Sequence, residues 1–385
     1  MSRFKNFVWE VGLLTATTIG AGVFAIPYIF SKSGWLLSIL YIGLISSLIF
    51  SVHLLYWQVL AKAGDRVKLL GLIKKYFGQA GYYSAFLIII GGLILTLVVY
   101  LILAREFIAL IMPSAGIREF ILFWLISSLP IILSLRRLIS LELLGAVFMG
   151  GIILFIFFTA PTYGILERVP AFNFKNILLP FSPIIFALAA WTAVEPIYEY
   201  AKKTKSLGAR PAPDKGEARP TLVGRPPARA LLFGTFLAAL LYIIFAFAIL
   251  GSTETITPDA ISGLQGWPSW KLGILGSLGL FAIWTSYVPI GLEIKSSLEE
   301  RGWSKNLSFS LVLFLPITLL LLGLNNFLAV VSLVGGVFLG LQYWLIVSLG
   351  QRVLSLPRGG KIFLNFLATV FVLAAVYEIY QFILK

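Results

Sequence analysis

The strongest constraint on this chain is a series of long apolar segments, since roughly 20 apolar residues suffice to cross a bilayer as a helix. Hydrophobic residues make up 59% of its 385 residues and charged residues only 12%, and the mean hydropathy is +0.97, which excludes a soluble globular protein. The sequence therefore predicts an all-α polytopic membrane protein. Its eleven predicted spans, numbered in chain order, cover residues 8–30, 35–58, 84–111, 119–135, 140–160, 179–200, 229–250, 270–295, 306–323, 327–349 and 361–383.

Lysine and arginine concentrate in alternate connections between these spans. By the positive-inside rule, this distribution predicts a multi-pass protein of the plasma membrane with a cytoplasmic N-terminus and a C-terminus outside. Residues 62–82 mix basic and apolar residues, as in a short helix that lies on the inner membrane surface. Residues 202–228, rich in proline, glycine and basic residues, are typical of a flexible cytoplasmic linker, either solvated or in contact with anionic lipid.

Span 1 contains residues that weaken a helix where a membrane helix should be most regular. Gly20 and Gly22 lie two residues apart, and Pro27 follows. A break within a bilayer is tolerated only where it is buried or lines a wet cavity, and its freed amides and carbonyls can then bind an anion and a cation. The alternative is that the two glycines only allow close helix packing.

The positions of the breaks predict an inverted repeat. If spans 1–5 and 6–10 are two units, the second begins with the opposite orientation, and span 6 should also be broken. It carries Pro183 and Pro196 with a run of small residues between them. We therefore expect a five-plus-five inverted-repeat fold of the leucine-transporter type. The predicted units are 1–160 (first repeat), 161–201 (outer loop and span 6), 202–228 (linker), 229–350 (spans 7–10) and 351–385 (peripheral span 11).

Three stretches resemble the amino acid/auxin permease family of the amino acid–polyamine–organocation transporter superfamily. They are Gly20-Ala21-Gly22 with the following Phe24-Ala25-Ile26-Pro27-Tyr28 and Ser33-Gly34-Trp35, the small-aromatic-small run of span 6, and residues 332–340 in span 10. The order Glu195-Pro196 departs from the family, where proline commonly comes first. The resemblance implies a secondary transporter that imports amino acids by alternating access.

The same resemblance implies a set of substrate-binding residues. Backbone amides around Gly20, Ala21 and Gly22 would bind the substrate carboxylate, and carbonyls near Phe186 and Ala187 would accept from its amino group. Trp191 would line the pocket as a gate, although a lipid-facing or core position is the alternative. The hydroxyl of Tyr100 would contact the substrate, unless it only packs. The full predicted set is Thr17, Gly20, Ala21, Gly22, Tyr100, Phe186, Ala187 and Trp191.

A coupling ion is expected beside the substrate. In sodium-coupled members of this fold, carbonyls of span 1 and hydroxyls of span 8 share one ion, and hard oxygen ligands suit an alkali cation. Hydroxyls in membrane helices also bond to their own backbone with no ion present, which is the alternative here. The matching residues are Ala16, Ile19, Ala282, Thr285 and Ser286.

Proton coupling is the rival hypothesis, and Glu195 is its candidate because an intramembrane carboxylate is a functional-site hypothesis by default. Some proton-coupled relatives carry a lysine on span 5 where sodium would sit. Span 5 contains no lysine, which favours Na⁺ over H⁺.

Other classes of function are disfavoured by the sequence. No cysteine and one histidine leave neither a thiolate nor a His-rich metal site, no phosphate-binding or metalloprotease motif is present, and we expect no enzyme and no cofactor. The net charge of +14 is explained by cytoplasmic connections rather than by nucleic-acid binding. An amino acid exchanger, a channel and a membrane sensor remain as alternatives. The expected partners are an amino acid substrate and membrane lipids.

Overall fold

The computed structural model describes residues 2–63, 68–132, 141–159, 168–208 and 226–384. Within these ranges the chain consists of helices joined by turns and loops, without a strand. Every predicted span corresponds to a helix, and spans 1 and 6 are each divided in two. Spans 1 to 11 occupy Ser2–Thr18 with Ile26–Ser33, Trp35–Ala63, Leu69–Ile111, Ile117–Ile132, Leu141–Thr159, Phe181–Leu188 with Trp191–Gly208, Ala228–Leu250, Ser269–Glu299, Lys305–Leu321, Phe327–Val353 and Arg358–Ile383.

The helices have the length and composition of membrane spans. Seven are long and apolar enough to cross a bilayer, and the two parts of span 1 together make an eighth. Spans 4, 5 and 9 are shorter apolar helices of 16, 19 and 17 residues. Large apolar side chains such as Ile126, Phe158 and Leu373 point outward, where only lipid would bury them. The chain is a multi-pass membrane protein.

The first residues of span 3 form a helix that a kink separates from the rest of the span. The helix begins at Leu69, and Gly78 interrupts it with φ 74° and ψ −166°, a backbone conformation that favours glycine. Residues 69–77 therefore form a separate helix at the predicted place of the surface helix, whereas residues 64–67 lie outside the described ranges.

Span 6 is longer than its hydropathy indicates. Its second half continues to Gly208, past the predicted start of the basic linker at residue 202. Lysines do not stop a helix once it leaves the apolar region, because their long side chains have good helix propensity. Residues 209–225, the centre of the predicted linker, lie outside the part of the chain that the structure describes.

The spans pack into two groups, and spans 5 and 10 contact members of both, span 5 through spans 1 and 7. Spans 1, 2, 6 and 7 pack on one another, and span 8 packs on spans 3, 4, 5 and 9. At Gly279 of span 8 a side chain would collide with the ring of Phe107 of span 3, so glycine permits this close approach. Span 10 contacts spans 2, 3 and 6, and span 11 packs mainly on span 10. Broken spans 1 and 6 thus hold corresponding positions in the two five-span repeats.

Candidate substrate and ion site

The break in span 1 lies at the glycines. The first half ends at Thr18, Gly20 is extended at φ −143° and ψ −158°, and a short 3₁₀ turn over Ala21–Ala25 leads into the second half. The helix axis bends by 54° between residues 4–18 and 21–33. No side chain caps the new helix start at Gly20, so the amides there depend on other partners.

The break in span 6 lies in its run of small residues, between the two prolines. The first half ends at Leu188, Ala189 is extended at φ −68° and ψ 121°, and the second half starts at Trp191. The two breaks touch each other. A Cβ added to Gly22 would lie 2.5 Å from the Cα of Ala187 and 2.9 Å from its nitrogen, so only glycine allows this approach.

Tyr242 of span 7 joins the two breaks, and sequence reasoning did not single it out. Its hydroxyl oxygen lies 2.6 Å from the carbonyl of Thr18 and 2.8 Å from the carbonyl of Ala187, and the side chain is fully buried. The signal in the sequence was a tyrosine in the middle of an otherwise apolar span. The hydroxyl of Tyr100 completes the cluster, 3.6 Å from where a Cβ of Gly20 would stand.

Two neighbouring residues of span 10 hold the start of the second half of span 6. The Ala190 amide donates to the hydroxyl of Tyr343 at 3.3 Å, and the indole nitrogen of Trp191 donates to Oε1 of Gln342 at 2.8 Å. Gln342 in turn donates to the carbonyl of Ile88 in span 3 at 3.4 Å. Trp191 is buried and hydrogen-bonded at this junction, which excludes a lipid-facing position for it.

Glu195, the predicted proton site, lies one helical turn beyond Trp191. Its Oε1 accepts from the hydroxyl of Tyr56 in span 2 at 2.5 Å and from the amide of Leu69 at the start of span 3 at 3.0 Å. Two donors on one oxygen are the pattern that a carboxylate favours. Glu195 thereby ties spans 2, 3 and 6 together.

His53 of span 2 is a second buried titratable group near this junction. Neither nitrogen of its imidazole ring has a hydrogen-bond partner in the described structure. The ring lies 6.3 Å from that of Tyr343, between centroids.

The predicted sodium ligands lie on two helices that share no extensive contact within the described residues. The hydroxyl of Thr285 donates to carbonyls of its own helix, at 3.0 Å to Phe281 and 2.9 Å to Ala282. Gly145 of span 5 lies directly against Thr285 and near the hydroxyl of Ser286, and on span 1 Ala16 and Ile19 are buried. For Thr285 the geometry matches the alternative, self-bonded interpretation of its hydroxyl.

The structure thus brings part of the predicted substrate set together. Gly20, Gly22, Tyr100 and Ala187 meet at the two breaks, with Ala21 buried in the 3₁₀ turn. Trp191 begins the next helix. Phe186 lies against Gly335 of span 10, and Thr17 is half-buried on the last turn before the break.

Residues 3–190, just under half of the chain, match the model of the tryptophan/tyrosine permease family. The match supports a permease of the expected kind, although not specifically an amino acid/auxin permease. No curated protein matches the sequence.

Several solved structures share the fold. An inward-facing conformation of Mhp1 aligns with a TM-score of 0.60 and 14% identity, over 88% of this chain and 76% of that one. A manganese transporter from Eremococcus coleocola, in complex with an aromatic bis-isothiourea compound, aligns with a TM-score of 0.63 and 14% identity over 97% and 86%. Mhp1 in a closed conformation with bromovinylhydantoin bound, described as a nucleobase-cation-symport-1 family transporter, gives 0.58 and 14% over 96% and 90%.

At such low identity these structures establish the fold alone. Together with the permease match, they indicate a transporter with the leucine-transporter-type fold rather than an enzyme.

Proposed function

We propose that this chain is a secondary transporter that imports aromatic amino acids by alternating access, coupled to a sodium or proton gradient. The observation that carries the proposal is the meeting of the two broken helices, where the carbonyls of Thr18 and Ala187 converge on one buried point and Gly22 lies directly against Ala187. Helix ends of opposite polarity next to each other suit a zwitterion, whose ammonium and carboxylate are held by carbonyls and amides respectively.

The aromatic class is supported by the match of residues 3–190 to the tryptophan/tyrosine permease model. The described walls around the breaks agree with it, since Phe24, Phe107 and Phe245 stack edge to face beside span 1 and Trp191 begins the second half of span 6. Apolar and aromatic walls with a few converging polar groups are typical of sites for ligands of this kind.

A metal substrate, suggested by the fold of the manganese transporter, is not favoured. The stretches at the two breaks, residues 15–24 and 186–194, contain no aspartate, glutamate, histidine, cysteine or methionine. The described residues hold no cluster of such groups that could bind a metal ion. Transition metals need ligands of these types.

The coupling ion is proposed as Na⁺ at Ala16, Ile19, Ala282, Thr285 and Ser286, or alternatively H⁺ on Glu195. The test is uptake of labelled tryptophan, tyrosine and phenylalanine into proteoliposomes, with an inward sodium gradient and, separately, an inward proton gradient. We expect saturable accumulation under one of the two. Equilibration without accumulation under either gradient, but with uptake driven by internal unlabelled amino acid, would replace the proposal by an exchanger.

A further inference from the structure

We propose that Lys74, Arg301 and Arg352 form a binding site for the phosphate headgroup of an anionic phospholipid at the kink of Gly78. This inference goes beyond the proposed function, because the ligand is a membrane lipid rather than the transported substrate. The three side chains, called the basic cluster below, lie in connections or at span ends that the distribution of lysine and arginine predicts to be cytoplasmic.

The basic cluster unites three parts of the chain that are distant in sequence. Lys74 lies on the helix of residues 69–77, Arg301 follows the end of span 8, and Arg352 lies in the last turn of span 10. Spans 8 and 10 both pack on span 3, which begins with this helix. Packing therefore gathers positive charges that no local basic motif contains.

Aromatic rings of span 3 hold two members of the basic cluster next to each other. Nζ of Lys74 lies 5.3 Å and Cζ of Arg301 lies 4.6 Å from the centroid of the Tyr82 ring. Arg301 also lies over Phe86, with its Cζ 3.4 Å from the ring centroid. Such cation–π contacts fix the orientation of a guanidinium through its flat face, and its N–H edge can then bind phosphate oxygens.

The third member reaches the same place through the kink. Cζ of Arg352 lies 5.4 Å from the centroid of the Phe77 ring. Phe77 ends the helix before the kink and lies directly against Gly81, the residue before Tyr82. The kink therefore brings the Phe77 and Tyr82 rings, with the cations that contact them, to one corner of the protein.

No carboxylate neutralises the basic cluster. None of its members forms an ion pair within the part of the chain that the structure describes, and Glu300 acts on Arg301 only at longer range. Lys74 and Arg352 are exposed and accessible to a ligand. Like charges that are held together repel one another, so an anion bound between them is favoured.

The surroundings of the basic cluster favour a lipid over a soluble anion. Leu87 follows Phe86 toward the membrane interior, Leu307 lies in the first turn of span 9, and both side chains are exposed. Trp303, two residues beyond Arg301, is 39% exposed. Basic side chains bordered by outward-facing apolar ones suit a phosphate with acyl chains below it.

The cytoplasmic linker is a poor alternative occupant. Residues 202–228 contain seven lysines and arginines but only two acidic residues, so the linker and the basic cluster carry the same sign of charge. Anionic phospholipids of the inner leaflet carry the complementary charge and lie at the same depth as a helix on the membrane surface.

The test uses Trp303 as a reporter, because bromine atoms on acyl chains quench indole fluorescence at short range. The purified full chain is reconstituted in phosphatidylcholine bilayers with a rising fraction of brominated phosphatidylglycerol or, separately, of brominated phosphatidylcholine. The signal of Trp303 is the difference between each protein and the same protein with Trp303→Phe. The two titrations give the affinity of the site for phosphatidylglycerol relative to phosphatidylcholine.

Two double variants with the same change in net charge are compared. Lys74→Gln with Arg352→Gln removes two exposed members of the basic cluster, whereas Arg358→Gln with Lys361→Gln removes two exposed charges at the start of span 11 and is the control. We expect wild type and the control to prefer phosphatidylglycerol at least about tenfold. The first variant should lose most of this preference, because each basic residue near an anionic headgroup changes the affinity about fivefold.

Three results would overturn the inference. Equal quenching by the two brominated lipids in wild type would exclude a site for an anionic lipid. Equal losses in the two double variants would indicate general surface charge. Displacement of the brominated lipid by glycerophosphoglycerol, its soluble headgroup, would assign the basic cluster to a free phosphate compound. The wild-type comparison requires neither variant to fold and no amino acid to bind, so its outcome is independent of the proposed function.

Discussion

The breaks in spans 1 and 6 lie at equivalent places in the two repeats but are held in different ways. In span 1 the recorded side-chain partner of the last helical carbonyl is Tyr242, from span 7 of the same packing group. In span 6 the Ala187 carbonyl shares that partner, whereas Ala190 and Trp191 bond Tyr343 and Gln342 of span 10. Span 6 is thus bonded to span 7 before its break and to span 10 after it.

This difference indicates which hydrogen bonds must break during the proposed alternating access and which can persist. Bonds within the group of spans 1, 2, 6 and 7 can persist while that group moves as a unit. The bonds from Ala190 and Trp191 to span 10 cross between span 6 and a helix that also packs on span 3, and they must break or rotate when the group moves.

Replacement of Gly22 by leucine should abolish transport while the protein still inserts in the membrane. A side chain there would collide with the backbone of Ala187 and separate the two breaks. The measurement is uptake at matched surface expression. Gly12→Leu, in the same span but with open space around its added side chain, is the control and should transport normally. Uptake by Gly22→Leu at the wild-type rate would remove the paired breaks as the site.

Replacement of Thr285 by alanine tests the ion site proposed between spans 1 and 8. If Na⁺ binds there, the loss of one oxygen ligand should raise the sodium concentration for half-maximal uptake about tenfold, because a hydrogen-bonding or ligating oxygen typically contributes about 1.4 kcal/mol. Thr235→Ala removes a buried hydroxyl that donates only to its own helix, at 2.9 Å to Leu231, and should leave this concentration unchanged. An unaltered sodium response in Thr285→Ala would shift the proposal to protons.

Replacement of Gln342 by leucine tests the link from span 6 to span 10. The change removes the acceptor for Trp191 and the donor to Ile88, so the indole loses its fixed orientation. We expect the maximal rate of uptake to fall about fivefold, with a smaller change in apparent affinity. Gln351→Leu alters an exposed glutamine of the same helix and serves as the control. Equal rates in the two variants would mean that the asymmetry has no part in transport.

Replacement of Glu195 by glutamine should lower the apparent melting temperature by about 2–5 °C, because two hydrogen bonds to a carboxylate become bonds to a neutral amide. Tyr56→Phe should give a similar loss, and the double variant should lose less than the sum, since the two residues share one bond. Glu293→Gln is the control, because the ion pair of Glu293 with Lys68 at 3.6 Å is half-exposed and contributes little. Additive losses for Glu195 and Tyr56 would contradict the bond between them.

Local chemistry determined the spans and their breaks. The lengths of the apolar segments predicted the eleven spans, because in a bilayer each segment must make its backbone hydrogen bonds within its own helix. Gly20 and Gly22 marked the first break, and the run of small residues between Pro183 and Pro196 marked the second at Ala189. These features depend on neighbours in the chain, so the sequence alone was sufficient for them, and it was also sufficient to predict the inverted repeat.

Tertiary structure decided which side chains complete the site. Tyr242 meets Ala187 across 55 positions of the chain, Tyr343 meets Ala190 across 153, and Gln342 meets Trp191 across 151. No local pattern encodes such pairs, because Tyr242 and Tyr343 meet backbone groups that any residue type could present, and Gln342 reaches the Trp191 side chain only through the packing of spans 6 and 10. The unpartnered His53 likewise follows from how helices face one another. Hydropathy places a helix in the membrane, but only packing selects the residues that its broken ends meet.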